Sequence, residues 1–252
     1  MHVELDLDGA VVLVTGGVRG VGLGITRAFL SAGAVVVTCA RRPAEVEGAS
    51  FLPCDVRDAD QVSGLVAAVV AEHGRLDVVV NNAGGAPFAL ADKASPRFHS
   101  KIVELNLLAP LLVSQAANAV MQEQGSGTIV NVSSVSGRRP SPGTAAYGAA
   151  KAGLDSLTSS LAVEWAPKVR VNALAVGMVR TEQSHLHYGS EAGIEAVART
   201  VPLGRLASPD EVGACAVFLA SPLASYVSGA TLVVHGGGEA PAFLTAADEG
   251  TS

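Results

Sequence analysis

Tyr147 and Lys151, four positions apart, are the residues whose types and spacing best suit proton transfer in this sequence. On a helix this spacing places both side chains on one face, about one turn apart. A nearby ammonium group stabilises a phenolate, so the pair could exchange a proton with a substrate oxygen at neutral pH. Taken alone, however, the same spacing is usually an ordinary pair on a helix surface.

Two serines shortly before this pair add a second chemical group. Ser133 and Ser134 follow the apolar run 128–132. A hydroxyl just beyond a buried strand can donate a hydrogen bond to a carbonyl oxygen and stabilise the charge that develops there. Together the serine, tyrosine and lysine would suit acid–base chemistry at a carbonyl or alcohol carbon. The position after the strand does not decide which serine takes part.

A glycine-rich turn near the start of the chain indicates a phosphate-binding site. The segment 15–22 reads TGGVRGVG, follows an apolar run and precedes a helical pattern. Glycine allows a tight turn and lets backbone N–H groups approach a pyrophosphate, while the helix N-terminus adds partial positive charge. Glycines alone could mark an ordinary strand-to-helix turn. The strand before them and the helix after them favour dinucleotide binding.

Apolar runs that alternate with helical patterns predict the elements that must hold these groups. Because the runs are apolar at consecutive positions, they suit strands buried on both faces, and the intervening helices supply the crossovers of a parallel sheet. The predicted fold class is therefore α/β: a doubly wound, Rossmann-type, seven-stranded parallel sheet with helices on both faces. The predicted strands are 10–14, 34–39, 51–54, 76–80, 128–132, 169–174 and 231–234. The predicted helices are 20–32, 59–73, 95–106, 108–123, 145–165 and 208–220.

Length and composition exclude several kinds of protein. The chain has 252 residues, 49% of them apolar, and we expect a single domain over 1–252. A net charge of −6 argues against nucleic acid as the partner, because nucleic-acid-binding proteins usually carry a basic patch. No apolar run reaches the roughly 18 residues of a membrane span, so we expect no membrane partner and a cytoplasmic location. The scattered Cys39, Cys54 and Cys215 are expected to be reduced, and the histidine spacing suggests no metal site.

Three motifs, in order along the chain, carry a family resemblance: TGxxxGxG at 15–22, NNAG at 81–84 and YxxxK at 147–151. With them the chain resembles the short-chain dehydrogenase/reductase family over nearly its whole length, in the compact subgroup and nearest to the ketoacyl-reductase-like members. The resemblance implies an oxidoreductase that moves a hydride between a nicotinamide and the carbonyl or secondary alcohol carbon of a small molecule. It also selects Ser134, thirteen residues before Tyr147, over Ser133.

The resemblance assigns roles to the other site residues. It makes Tyr147 the general acid and base, Lys151 its supporting cation, and Asn106 the holder of a water-linked proton path to Lys151. An asparagine at position 106 could instead bend or end a helix. Asp55 matches the acid that contacts adenine. The residues expected to bind the dinucleotide are Thr15, Gly16, Arg19, Gly20, Val21, Gly22, Arg41, Arg42, Asp55, Val56, Asn82, Ala83, Gly84, Tyr147, Lys151, Gly177, Val179 and Thr181.

The end of the second strand predicts which nicotinamide cofactor is used. A carboxylate about 20 residues after the glycines would hydrogen-bond the ribose 2′-hydroxyl of NAD(H). That position is Ala40, followed by Arg41 and Arg42, and Arg19 lies inside the glycine turn. Guanidinium groups bind a 2′-phosphate through charge-assisted hydrogen bonds, so we expect NADP(H). The alternative is a pair of solvated arginines at a strand end.

Two positions depart from the family pattern. Val176 stands where a proline is usual before Gly177, and His235 stands where an aspartate is frequent. Proline would fix φ and remove a donor, so valine leaves this turn freer and could alter how the nicotinamide is seated. The histidine could change a subunit contact.

The long connection 181–205 is expected to be a substrate lid, irregular except for a short helix near 192–198. Together with the stiff loop 136–144 it would form the substrate pocket. In that loop Arg138 or Arg139 could meet an anionic part of the substrate. The alternative is that these arginines are solvated or paired.

Two other functions fit the same motifs. A catalytically silent, dinucleotide-binding redox sensor has no chemical need for Ser134, Tyr147 and Lys151, so it ranks below the enzyme. An isomerase or dehydratase using the same cleft would show no net cofactor turnover. By resemblance, we expect a homotetramer assembled through the helices that carry Asn106 and Tyr147 and through the C-terminal strand region.

Overall fold

Seven parallel strands form one sheet in the computed structural model, which describes residue 5 and residues 7–241. The strands are β1 Val11–Thr15, β2 Val35–Ala40, β3 Ala49–Pro53, β4 Val78–Asn81, β5 Gly127–Ser134, β6 Val169–Val176 and β7 Thr231–Val234. Their order across the sheet is β3-β2-β1-β4-β5-β6-β7, with every neighbouring pair parallel. This is the predicted doubly wound sheet. Residues 1–4, 6 and 242–252 of the predicted domain lie outside the described residues.

Helices cover both faces of the sheet. They are α1 Gly20–Ser31, α2 Ala59–His73, α3 Pro96–Val103, α4 Ala109–Gln124, α5 Ala145–Glu164, α6 Ser184–Tyr188, α7 Glu191–Ala198 and α8 Pro209–Ala220. Local signals set several ends. The side chain of Asp58 accepts hydrogen bonds from the first turn of α2, and Ser208 and Glu211 form a capping box at the start of α8. Helices α2 and α4 end at left-handed glycines, Gly74 and Gly125.

The sheet is buried on both faces, as its apolar runs predict. In β1, Leu13 packs into a core that includes Met121 of α4, whereas its neighbour Val12 packs into a second core with Phe29 of α1. Successive strand residues point to opposite faces, so a strand needs apolar residues at every position when helices cover both sides. The sheet is therefore a rigid platform between two apolar layers.

The strand register brings the carboxyl ends of the strands to one edge. Thr15 at the end of β1 pairs with Cys39 in β2, and Ser134 at the end of β5 pairs with Val176 at the end of β6. Val176 pairs in turn with Val234 at the end of β7. Ligands of open α/β sheets bind beyond this edge. The motifs that follow the strands therefore face a common cleft.

One long helical run replaces the two helices predicted at 95–106 and 108–123. Between α3 and α4 lies a π-helical turn, Glu104–Leu108, which carries the chain from Pro96 to Gln124 without a break. Pro110 explains the local change, because it has no N–H to donate to the carbonyl of Asn106 and its ring crowds that carbonyl. The predicted boundary between the two helices lies at the correct position, but the helix widens into a π-helical turn there instead of ending.

The same run, Pro96–Gln124, is long and apolar enough to cross a membrane when judged by length and composition alone. The sequence has no continuous apolar stretch of that length, so the run passes this test by its average composition. In the fold, α4 buries Val113, Ala117 and Met121 in the core beside the sheet. A core helix passes the same test as a membrane span, because both are rich in apolar residues.

The connection after β6 is more regular than predicted. It contains two short helices, α6 and α7, instead of one, and it has its own apolar cluster of Ile194, Val201 and Leu206. The end of this segment is tied to the C-terminal turn by a hydrogen bond of 3.1 Å from Leu203 N to Gly236 O. The segment 181–205 is therefore a small packed layer over the carboxyl edge of β6 and β7.

Candidate active site

Tyr147 and Lys151 lie together on the first turns of α5. The Lys151 side chain is buried, with Nζ 5.6 Å from the centre of the Tyr147 ring, and Nζ donates a hydrogen bond of 2.8 Å to Val132 O. Helix α5 can approach the loop after β5 because residue 148 is glycine: a Cβ on Gly148 would lie 2.6 Å from Ser136 O. This contact fixes the helical pair against the serine loop.

Burial shifts the ionisation of both groups. It lowers the pKa of Lys151 to about 8, and the carboxylate of Asp155 partly opposes this shift. Burial also raises the pKa of Tyr147, and the Ser134 hydroxyl beside the phenol acts in the opposite direction. The shift in the pKa of Tyr147 is opposite to the one expected from a neighbouring ammonium, because burial of the phenol outweighs the other contributions. The shift in the pKa of Lys151 brings that group closer to neutral pH, as is common at functional sites.

The two serines have different surroundings. Ser133 is buried, and its hydroxyl donates a hydrogen bond of 3.2 Å to the main-chain carbonyl of Lys151, so it braces α5 against β5. Ser134 is the last residue of β5, and its Oγ accepts a hydrogen bond of 3.2 Å from Ser136 N. Because that backbone group donates to Oγ, the hydrogen of the Ser134 hydroxyl remains able to donate to a ligand.

Asn106 lies in the π-helical turn and is fully buried. Its Nδ2 donates to Gly85 O at 3.0 Å and Ile102 O at 2.9 Å, and its Oδ1 accepts from Gly85 N at 2.8 Å. A Cβ on Gly84 would lie 2.7 Å from Asn106 Oδ1 and 3.5 Å from Lys151 Nζ. The side chain of Asn106 thus anchors the loop after β4. Pro110, four residues on, has no N–H to donate to the main-chain carbonyl of Asn106.

The glycine turn has the shape of a phosphate cradle. Gly16 and Gly20 have φ values of +64° and +52°, a region that favours glycine. A Cβ on Gly22 would lie 2.2 Å from Gly16 O, so no other residue fits there. A side chain at any of these positions would strain or block the turn that must approach a pyrophosphate.

Hydrogen bonds join the glycine turn to the NNAG segment. Thr15 Oγ1 accepts from Asn82 N and Ala83 N, both at 3.0 Å, and Asn82 Nδ2 donates to Thr15 O at 2.9 Å and Gly16 O at 3.1 Å. Asn82 is therefore a brace between β1 and β4 and not merely a turn residue. A further candidate, Thr181, faces the turn: a Cβ on Gly20 would lie 3.7 Å from Thr181 Cγ2.

A chain of buried polar side chains crosses the sheet below the site. Asn81 Nδ2 donates to Asn131 Oδ1 at 2.9 Å and to Ser114 Oγ at 2.8 Å, and Asn131 Nδ2 donates to Thr158 Oγ1 at 2.9 Å. These bonds connect β4, β5, α4 and α5. Functional roles were not predicted for Asn131, Ser114 and Thr158, although an asparagine inside the apolar run of β5 was a visible signal.

The far end of the cleft carries the arginines expected to bind a phosphate. Arg41 and Arg42 are exposed directly after β2, and Arg19 is the exposed residue before α1. Within residues 7–241 none of the three has a carboxylate partner, whereas Arg57, Arg75, Arg138, Arg139, Arg180 and Arg205 all do. This end of the cleft therefore carries positive charges that no carboxylate of the described residues pairs with.

Asp55, expected beside the adenine, is held by a residue that the sequence analysis did not single out. Both Asp55 oxygens accept from the Arg57 guanidinium, Oδ1 from Nε at 2.9 Å and Oδ2 from Nη2 at 2.5 Å. This pairing lowers the pKa of Asp55 to about 2. The side chain of Val56 lies in the core, so its main chain alone is left for a ligand.

The two departures from the family pattern lie in segments that pack on each other. Gly177 N donates a hydrogen bond of 2.9 Å to Val234 O, and a Cβ on Gly177 would lie 2.7 Å from His235 Cβ. The turn that begins with Val176 therefore packs on His235. Val179 continues from it as a bridge to Ala207.

Arg138 and Arg139 are both paired within the chain. Arg138 Nε donates to Asp155 Oδ2 at 3.1 Å, and Arg139 Nη2 donates to Glu239 Oε1 at 2.6 Å. The hypothesis that one of them meets an anionic substrate is not supported, because each already faces a carboxylate. Sequence separation hid the second pairing, since these residues lie 100 positions apart.

Comparisons with known proteins agree with this geometry. A family model described as enoyl-(acyl carrier protein) reductase matches residues 16–239. The chain is 38% identical to a D-threitol dehydrogenase of Mycolicibacterium smegmatis, over 94% of this chain and 96% of that protein. It is 36% identical to a 3alpha-hydroxysteroid dehydrogenase of Mediterraneibacter gnavus, over 91% of this chain and 97% of that one.

Among solved structures, the ligand-free aldohexose dehydrogenase of Thermoplasma acidophilum superposes with a TM-score of 0.90 at 29% identity, covering 99% of both chains. The matches extend over nearly the whole fold and include both the glycine turn and the Tyr147 region. The chain therefore belongs to the short-chain dehydrogenase/reductase family of nicotinamide-dependent oxidoreductases, whose dehydrogenases act on alcohols.

Proposed function

We propose that this chain is an NADP(H)-dependent oxidoreductase that interconverts a carbonyl compound and a secondary alcohol, with Tyr147 as general acid and base. The observation that carries the proposal is the buried Lys151 ammonium next to Tyr147, with the Ser134 hydroxyl beside the phenol. Burying an ammonium is unfavourable, and such groups are concentrated at functional sites. The arrangement serves proton transfer to or from a substrate oxygen.

Each member of the set has a distinct role in this proposal. Tyr147 donates its phenolic proton to the carbonyl oxygen during reduction and accepts a proton from the hydroxyl during oxidation. Lys151 stabilises the phenolate that remains. Ser134 donates a hydrogen bond to the same substrate oxygen, since its Oγ lone pair is already used by Ser136 N. A bound nicotinamide would supply or accept the hydride.

Proton resupply is the proposed role of Asn106. Its side chain is engaged by Gly85 and Ile102, so we assign the role to its main-chain carbonyl, to which Pro110 cannot donate the usual helical hydrogen bond. A water bound there could pass protons toward Lys151. This keeps the residue that the family resemblance implies.

The preference for NADP(H) is supported by charge. Ala40 provides no carboxylate for a ribose 2′-hydroxyl, and Arg41, Arg42 and Arg19 are exposed cations without carboxylate partners in the described residues. A 2′-phosphate would satisfy them through charge-assisted hydrogen bonds. The glycine turn, Asp55 and the segments after β4 and β6 would hold the rest of the cofactor.

The proposal includes a small-molecule alcohol or ketone substrate, a homotetramer and a cytoplasmic location. The relatives named above act on a polyol and on a steroid, according to their names, so the substrate class is left to experiment. Assembly is supported by exposed apolar side chains on the helical run and on α5: Leu108 is 48% exposed and Val163 80%. Leu232 and Val233 on the edge strand β7 are also exposed.

The test is turnover of NADPH with a panel of acyl-linked, alicyclic and steroid-like ketones, and of NADP⁺ with the matching alcohols. Tyr147→Phe removes one hydroxyl and is expected to abolish turnover while NADPH binding remains. Tyr226→Phe, which removes the same group from a fully exposed side chain, is the control and should leave turnover unchanged. A Tyr147→Phe protein that keeps its turnover would refute the role of Tyr147. NADPH binding without turnover in the parent would favour a redox sensor.

A further inference from the structure

Asp155 continues the catalytic stripe of α5. It lies one helical turn beyond Lys151, as Lys151 lies one turn beyond Tyr147, so the three side chains share a face. The Asp155 side chain is only 16% exposed. Its Oδ2 accepts from Arg138, while its Oδ1 is buried and has no hydrogen-bond partner within the described residues. A buried carboxylate oxygen without a hydrogen-bond partner destabilises the fold. Packing alone therefore does not explain why a carboxylate occupies this position.

The surroundings of Lys151 explain why a carboxylate is useful there. From β5 the Val132 carbonyl accepts from Nζ, and from the π-helical turn the neutral amide of Asn106 lies close by, on the other side of Gly84. On α5 itself the neighbours are the Tyr147 phenol and the Asp155 carboxylate. Asp155 is thus the anionic group acting on Lys151, and it opposes the effect of burial on the pKa of that lysine.

Arg138 fixes the carboxylate from the serine loop. It follows Ser134 by four residues and reaches α5 through the 3.1 Å bond to Asp155. Its own side chain is 41% exposed, so its charge is well screened by solvent, whereas that of Asp155 is not. The pair therefore orients an anion toward the interior without cancelling it.

We propose that Asp155, held by Arg138, is a positioning residue that keeps Lys151 in its ammonium form during proton transfer. The inference rests on the proposed function, because it concerns the same proton-transfer site. Asp155 acts through Lys151 and does not touch the reacting atoms. Its carboxylate compensates for the water that burial removes from the ammonium, and the ammonium in turn stabilises the Tyr147 phenolate.

The direct test is the titration of Lys151 by NMR of ¹³Cε-labelled lysine. The chain has four lysines, and the Lys151 signal can be assigned by its loss in Lys151→Met. Asp155→Asn keeps the shape of the side chain and removes its charge. We expect the Lys151 midpoint to fall by about one pH unit, the lower end of the range for loss of a nearby opposite charge.

Two further variants separate this charge effect from general loosening. Arg138→Gln removes the tether and a positive charge, but α5 keeps the Asp155 carboxylate one turn beyond Lys151, so the Lys151 midpoint should not fall. Glu164→Gln removes one negative charge from the exposed far end of α5, roughly 20 Å along the helix, and should leave the midpoint unchanged. An unchanged midpoint in Asp155→Asn, or a fall in Arg138→Gln, would overturn the proposal. If Asp155→Asn does not fold, Asp155→Ser, which also removes the charge, takes its place in the titration.

Turnover gives a second readout that a merely structural role would not move. In carbonyl reduction the active form carries protons on both Tyr147 and Lys151, so Asp155→Asn should shift the alkaline loss of kcat/KM to lower pH. Asp155→Glu should move it back toward the parent value. A uniform loss of kcat/KM at every pH would contradict the inference. If the parent reduces no carbonyl and the NMR midpoint still falls, the proposed function fails and the charge role of Asp155 stands.

Discussion

Replacing Lys151 with methionine should change how stability depends on pH. The lysine is buried and its folded-state pKa is about 8, against an ordinary value of 10.5. Between these two values the unfolded chain binds more protons than the folded one, so raising the pH stabilises the fold. Below the folded pKa the full cost of burying the ammonium applies, and it disappears as the pH rises toward the unfolded pKa.

The magnitude follows from the two pKa values. From about pH 7.5 to about pH 9.5 the parent should gain about 2 kcal/mol of unfolding free energy from this group. Lys151→Met lacks the titration and should not show this gain. The mutation also removes the hydrogen bond to Val132 O and alters packing, but these effects do not depend on pH and cancel when two pH values are compared.

Urea unfolding followed by circular dichroism, at both pH values and one protein concentration, measures this difference. Lys93→Met is the matched control, because Lys93 is exposed and should show the parental pH dependence. The reasoning is refuted if Lys151→Met and the parent gain equal stability over the interval. That result would mean that Lys151 keeps an ordinary pKa despite its burial.

Three other outcomes follow from the geometry. Ala40→Asp combined with Arg41→Val should weaken NADPH binding and favour NADH, measured as the ratio of the two dissociation constants; equal binding of both cofactors by the parent would contradict the assignment. Gly22→Ala should lose NADPH binding, since its Cβ would lie 2.2 Å from a carbonyl of the same turn, and retained affinity in calorimetry would count against the cradle. Ser208→Ala removes the cap of α8 and should cost about 1 kcal/mol, seen as a lower Tm, and an unchanged Tm would mean that the cap adds nothing.

The sequence was most informative where chemistry and strand ends coincide. The apolar runs were long and continuous enough to predict all seven strands, since a strand between two helical layers has no polar face to obscure it. Glycines in the first turn could be interpreted because their conformations are nearly unique to that residue: Gly16 and Gly20 have positive φ values. The proximity of the glycine turn to Thr181 was implied by the parallel topology.

Features that depend on distant partners were not predictable. The pairing of Arg139 with Glu239 joins a loop to the segment after β7, and no local pattern relates them. The π-helical turn was predicted as a gap between two helices, because such a turn has no distinct sequence pattern and packing on the sheet decides whether the helix continues. Helix α6, which was not predicted, is five residues long, too short to show a periodic pattern.

The chain of buried amides under the site also solves a problem of alignment. Strands that are apolar on both faces could slide past one another with little loss of hydrophobic contact, so alternation cannot fix their register. Asn81 and Asn131 are direct register partners on β4 and β5, and their side chains bond only in that register. A shift of β5 by one residue would break this bond and turn the Asn131 amide to the opposite, apolar face of the sheet. The bond between these two side chains thus fixes the position of Ser134, at the end of β5, relative to β4.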